Sequence, residues 1–174
     1  MNDGKGGERR WRWGWIGVSA GVAVLALWMI QHDGDPLQIG NFLAPMPLQT
    51  EGGPATIRAD SLCDQVIMIF SWTCPHCLRQ LDFLEAHIEE LKMARLVLIA
   101  TDEEISEDSA RALWPRLMAA RNVLTGRMEK NAVRERFGRL ILPHLVFVGR
   151  DGIVKARRSG TTTISTVISV LEKI

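Results

Sequence analysis

The run Val66-Ile67-Met68-Ile69-Phe70-Ser71-Trp72-Thr73-Cys74-Pro75-His76-Cys77 decides the fold. Its first five residues are all apolar, which predicts a central strand buried on both faces. Downstream, Leu78, Leu81, Leu84, Ile88 and Leu91 recur at helical spacing and predict a helix over 75–92 with one apolar stripe. Cys74 therefore falls at the N-terminal end of that helix. Unpaired backbone N–H groups and the positive end of the helix dipole favour a thiolate there. Cys77 lies one turn inside, close enough to close a small disulfide. Pro75 suits the first helical position because its missing N–H would have had no partner. Strand, loop, helix and cysteine pair together describe a dithiol/disulfide switch.

Other uses of two cysteines two residues apart need partners this chain lacks. Structural zinc needs a second pair of cysteines or histidines, and the only other cysteine is Cys63. Haem attachment needs His directly after the second cysteine, where Leu78 stands. The 174 residues carry a net charge of +1, a balance that gives no reason to expect nucleic acid.

The N-terminus reads as a membrane anchor. Residues 1–12 are polar and carry Lys5, Arg9, Arg10 and Arg12, and the uncharged apolar run 13–30 follows. Eighteen residues at about 1.5 Å each span about 27 Å, enough for the hydrocarbon core of a bilayer. Trp11, Trp13 and Trp15 mark one interface and Trp28 the other. Positive charge before the span predicts a cytoplasmic tail 1–12, a single-pass inner-membrane helix 13–30 and a periplasmic or otherwise extracytoplasmic remainder. A cleaved signal peptide is the competing reading, but no small-x-small cleavage site follows the run. An oxidising exterior also makes a maintained cysteine pair useful.

Beyond a Gly/Pro-spotted tether, 31–40, the outer domain is expected over 41–174, with a short edge strand around 55–58. Strand 66–70 and helix 75–92 are followed by strand 96–100 and a helix over 106–121 with Leu113, Leu117 and Ala120 inward. Strand 122–124 and helix 128–137, ended by Gly138, come next. Strand 145–148 and the turn Gly149-Arg150-Asp151-Gly152 lead into 153–156 as a hairpin, and Ile164, Val167, Ile168 and Leu171 define a last helix. Alternating units predict a mixed sheet, mainly parallel with an antiparallel edge, flanked by helices: an α/β fold. The remaining Met and Trp residues read as core packing.

Phe70 to Cys77, Leu142-Pro143 and Val146-Phe147-Val148-Gly149-Arg150-Asp151-Gly152 resemble a membrane-tethered thioredoxin-like protein of the TlpA/redoxin type. The likeness covers about residues 40–174 and includes an extra strand-helix unit before Pro143. It implies a thioredoxin-like fold and a thiol–disulfide oxidoreductase without cofactor or metal. Cys74 would attack and Cys77 would resolve the mixed disulfide. Pro75 and His76 would tune the redox poise, His76 by donating to the Cys74 thiolate. Pro143 resembles the family's cis-proline facing the disulfide, in a loop with Leu142 that pairs with the substrate backbone. His144 beside it would line the groove or merely cap a strand.

Two departures stand out. Thr73 replaces the Trp that many thioredoxins carry before the first cysteine, with Trp72 one position earlier, as in MauD-like redoxins. Met68 occupies the place of a buried acid, so proton transfer from Cys77 falls to water, Asp102 or Glu103, with solvated loop acids as the default for the last two. Cys63 precedes the first core strand, more than about 20 Å from Cys74 at 3.3 Å per strand residue, and reads as a passive, semi-buried thiol.

The implied partners are a disulfide or dithiol client outside the cytoplasm, such as one in cytochrome c or dehydrogenase maturation, a membrane or periplasmic thiol electron partner, and the bilayer through 13–30. The expected role is reductant or disulfide helper. A disulfide-introducing oxidase is the alternative, since the loop Cys74-Pro75-His76-Cys77 resembles those enzymes. Their large helical insertion fits poorly into the 65 residues between Cys77 and Pro143. A copper chaperone using the two sulfurs and a histidine is a third reading, weakened by a proline facing the thiols.

Overall fold

The computed structural model describes residues 37–102 and 107–174. The tail 1–12, the apolar run 13–30, most of the tether 31–40 and Glu103 lie outside the described residues. Among the described residues, no helix is long and apolar enough to cross a membrane.

The chain folds as β1 (Met46–Thr50), β2 (Gly53–Ile57), β3 (Gln65–Phe70), α1 (Pro75–Ala86), β4 (Arg95–Ala100), α2 (Glu107–Leu113), α3 (Pro115–Ala119), β5 (Val123–Arg127), α4 (Lys130–Phe137), β6 (His144–Val148), β7 (Val154–Ser159) and α5 (Ile164–Leu171). Strand order in the sheet is β2-β1-β5-β4-β3-β6-β7. The crossovers through helices make β3, β4 and β5 parallel, whereas β6, β7, β1 and β2 are antiparallel to their neighbours.

β3 is buried at every position because both faces are covered. Alternation sends Val66, Met68 and Phe70 to a core shared with Leu81, Leu84, Trp114 and Leu117. Ile67 and Ile69 go to a second core with Leu43, Leu48, Val133 and Phe137. Each such side chain contributes about 1.5–3 kcal/mol on burial, so the sheet is held from both sides.

Three expected elements come out differently. The helix expected over 75–92 leaves α-geometry at His87 (φ −120°, ψ 20°) and continues as a 3-10 turn over Ile88–Leu91, which still buries Ile88 and Leu91. The helix expected over 106–121 breaks at Trp114 (φ −129°, ψ 64°), because Pro115 excludes α-geometry from the residue before it. The break turns Leu113 outward (58% exposed) and buries Trp114 instead. Met93 is also solvent-facing rather than core.

The segment before β3 supplies a whole hairpin, not one edge strand. β1 and β2 pair over five positions, and β1 reaches the main sheet at Gln49 and Arg127. Gly126 permits that approach: a Cβ there would lie 2.5 Å from Leu48 Cγ and 2.7 Å from the Gln49 carbonyl oxygen.

Candidate active site

The cysteine pair stands at the C-terminal end of the parallel strands, where open α/β sheets leave a crevice. Phe70 ends β3 opposite Ala100 of β4, and Thr101 N–H donates to the Phe70 carbonyl at 2.9 Å. That register sets Asp102 beside the loop 71–73. Its carboxylate accepts from Trp72 N–H at 3.0 Å, from the Ser71 hydroxyl, and from Thr73 Oγ1 at 3.5 Å. Asp102 is therefore a structural clamp on the approach to Cys74, not a solvated loop acid.

Cys74 is the N-cap of α1, in extended geometry (φ −89°, ψ 113°), with Pro75 opening the helix. Its carbonyl accepts from Cys77 N–H at 2.9 Å and Leu78 N–H at 3.1 Å. No side chain caps the helix, so its positive end is left for a charge on the half-buried Cys74 sulfur. Cys77 is fully buried. Burial above all pushes its thiol up to about 12; Cys74 and Asp102 act in the same sense, against a backbone hydrogen bond from Ser71. The pair thus comprises one reachable sulfur and one held as a neutral thiol.

β6 runs antiparallel to β3 with His144 opposite Ile69, which brings the preceding residues to the dithiol. The Leu142–Pro143 peptide is cis, and the Leu142 carbonyl oxygen lies 4.0 Å from Cys74 Sγ. His144 is buried within the sheet: its Nδ1 is 3.0 Å from Ser159 Oγ and its Nε2 accepts from Arg157 Nε at 3.2 Å. It therefore belongs to the β6–β7 pairing rather than to an open groove.

The loop joining β7 to α5 completes the rim, a feature the sequence reading missed. Gly160 N–H donates to the Pro143 carbonyl at 2.8 Å, and Thr161 Oγ1 to the His76 carbonyl at 3.4 Å. Thr162 N–H reaches the buried Gln80 Oε1 at 2.7 Å. The only signal was Gly160 followed by three threonines, with Thr163 capping the last helix.

On the other side Trp72 packs edge-on to Phe70 at 4.6 Å and stacks on Trp114 at 5.8 Å. Trp114 in turn donates to Asp82 of α1 at 2.8 Å. Phe70 and Trp72 line a cleft of about 370 Å³ that Asp102 also borders.

These relations, a central β3 with parallel neighbours on one side, an antiparallel β6 entered through a cis-proline, and two cysteines at the start of α1, settle the architecture. The fold is thioredoxin-like. No protein-family model matches the sequence and no curated protein does. Among solved structures, a thioredoxin domain of a thiol-disulfide oxidoreductase from Bacteroides vulgatus superposes with a TM-score of 0.59 at 15% identity, over 78% of this chain and 96% of that one. A secreted Mycobacterium tuberculosis disulfide oxidoreductase, described as homologous to E. coli DsbE, gives 0.56 at 14% identity over 74% and 96%. StoA from Bacillus subtilis gives 0.54 at 12% identity over 73% and 96%.

Within this thioredoxin-like frame Cys74, Pro75, His76, Cys77, Leu142 and Pro143 converge. The His76 side chain is exposed, and among the described residues only its backbone carbonyl enters the network of the rim. Met68 is buried beside Cys77 in the same core, so no carboxylate stands at that position. Cys63 is a half-buried thiol with Sγ 3.7 Å from Asp60 Oδ2, outside this cluster. Its thiol is raised first by burial and then by Asp60. Among the described residues no three His, Cys, Asp or Glu side chains are grouped to hold a metal.

Burial separates the reactivity of the two sulfurs. In the reduced, folded protein, iodoacetamide should modify Cys74 and spare Cys77 up to about pH 10, where a thiol titrating near 12 is still about 99% protonated. Peptide mapping of the alkylated chain checks this, and Cys77 labelling first would reverse the assignment.

Proposed function

We propose that this chain is a thiol–disulfide oxidoreductase acting on a client outside the cytoplasm. The observation that carries the reading is the asymmetric dithiol: Cys74 half-exposed at an uncapped helix start, facing the Leu142 carbonyl, with Cys77 sealed behind it. Acting as reductant, the Cys74 thiolate attacks one sulfur of a client disulfide, forming a mixed disulfide and expelling a client thiolate. Cys77 then gives up its proton and attacks Cys74 Sγ, closing the Cys74–Cys77 disulfide and releasing the second client thiolate. Two electrons pass to the client, and a membrane or periplasmic thiol partner must return them.

The buried thiol sets the order of these steps. Cys77 stays protonated while Cys74 attacks, and it ionises only as the mixed disulfide offers it a target. Trp72 and the rim 160–162 flank the half-exposed sulfur. The Leu142 carbonyl, 4.0 Å from Cys74 Sγ, lies within reach of a client backbone crossing Cys74.

The apolar run 13–30 behind the cations of 1–12 supports an inner-membrane tether with the thioredoxin-like domain in the periplasm. Solved relatives of the same fold are described as thiol-disulfide oxidoreductases, which supports the reaction class. We favour a reductant or disulfide helper, as in cytochrome c or dehydrogenase maturation, over an oxidase. The 65 residues from Cys77 to Pro143 are occupied by two strands and short helices, without room for a large helical insertion. A copper chaperone holding its metal through the two sulfurs and a histidine is disfavoured, because Cys77 is fully buried and the Leu142 carbonyl of the cis-proline loop lies 4.0 Å from Cys74 Sγ.

Cys74→Ser should abolish turnover of a disulfide substrate such as insulin. Cys77→Ser should keep the first attack and accumulate mixed disulfides, visible on non-reducing gels of membranes. Trapping by Cys74→Ser instead would invert the roles.

His76 we assign to tuning. As a donor near the Cys74 thiolate it favours the dithiol, so His76→Val should make the protein more reducing. Because the ring is exposed, solvent screening limits the shift to about 30 mV or less, the equivalent of about 1.4 kcal/mol for two electrons. Equilibration against glutathione reads it, and an unchanged or higher potential would make His76 a bystander.

A further inference from the structure

A second cleft, of about 280 Å³, opens beside the cis-proline loop. Its apolar wall is Val133, Leu140 and Leu142, and its rim carries Lys130, Arg134 and Arg139. Leu142 belongs to both places: it lines the cleft, and its carbonyl oxygen lies 4.0 Å from Cys74 Sγ. Whatever crosses the nucleophile along this loop therefore passes the cleft.

The cations are gathered there by helix geometry. At about 100° per residue, Lys130 and Arg134 fall on the same face of α4 as Val133 and Phe137, whereas Glu135 lies about 100° round from Arg134. All three cations are exposed, and none forms an ion pair among the described residues. Nor does any described carboxylate line this cleft. Asp102, the acid beside the dithiol loop, is committed to Ser71 and Trp72.

We propose that this cleft selects the client: the protein prefers disulfides whose cysteine is flanked by a short acidic segment with an apolar residue. The carboxylates meet Lys130, Arg134 and Arg139, and the apolar side chain sits against Val133 and Leu140. This inference rests on the disulfide-exchange reading and adds to it the chemistry of the substrate. Three like charges beside a low-dielectric wall raise the local concentration of an anionic partner, an effect on association that salt removes. Exchange itself follows as described above, with no further co-reactant.

The test uses the full chain in detergent micelles, pre-reduced, and three synthetic peptide disulfides. They are identical except that two residues flanking the cysteine are Glu, Gln or Lys. Stopped-flow rates of peptide reduction are compared at about 0.02 M and about 0.5 M salt. The expected result is an order Glu, Gln, Lys, with Glu over Gln by about tenfold at low salt and little difference at high salt. The wild-type comparison reads the net field at the cleft whatever the variants do. In the triple variant K130Q/R134Q/R139Q the Glu-to-Gln ratio should fall to about one. R134E alone, which changes one exposed side chain, should cut the same ratio several-fold. Equal wild-type rates for the three peptides, or a Glu preference that survives in both variants, would overturn the proposal. Equal, measurable rates would sink the selectivity alone, whereas no reduction of any peptide would sink the disulfide-exchange reading beneath it.

Discussion

The pairing of β3 with β4 on one side and β6 on the other is the constraint on which the site depends. One register brings Asp102 next to the loop before Cys74, and the other brings Leu142 and Pro143 across from it. Of the residues that meet there, Cys74 and Pro143 lie 69 positions apart in sequence. Only a strand buried on both faces and bonded on both edges fixes them. Slipping either ladder by one residue would turn Met68 and Phe70 from one core to the other and carry the loop with them.

From that frame follows the electrical asymmetry of the dithiol. The same core that receives Met68 and Leu81 encloses Cys77, and enclosure disfavours its charge. Because its pKa is raised on folding, this thiol contributes stability to the reduced state below the ordinary value of about 9. That contribution is lost as pH climbs toward about 12. Cys74 lies outside the enclosure and at the helix's positive end. Asp102, bound by three residues of the loop, holds the sulfur's approach in place while adding negative charge near Cys77. Met68 is buried in the same core as Cys77, and among the described residues Asp102 is the carboxylate whose charge acts on that thiol.

Much of this was legible beforehand for physical reasons. A wholly apolar five-residue run and a periodic apolar stripe report burial directly, so β3, α1 and the position of the cysteines between them could be read. The Asp-Gly turn announced the β6–β7 hairpin. Long-range register was not legible: nothing local marks Asp102 as the partner of Ser71 and Trp72, or Gly160 as the partner of Pro143. β1 escaped notice because Pro45 and Pro47 hide its alternation, although Met46 and Leu48 are fully buried. The break at Trp114 was signalled by Pro115 and was overruled by the surrounding helical pattern. Nor does anything local mark Lys130, Arg134 and Arg139 as bordering one cleft.

The central claim is that Cys74 and Cys77 form one reversible two-electron couple, with Cys63 outside it. Equilibrating the full chain in graded dithiol/disulfide buffers, then counting free thiols by maleimide mass tagging, tests it most directly. The account predicts a single transition with the slope of a two-electron couple, in which Cys74 and Cys77 lose reactivity together and Cys63 stays reduced. Separate one-thiol steps, or a disulfide involving Cys63, would contradict it.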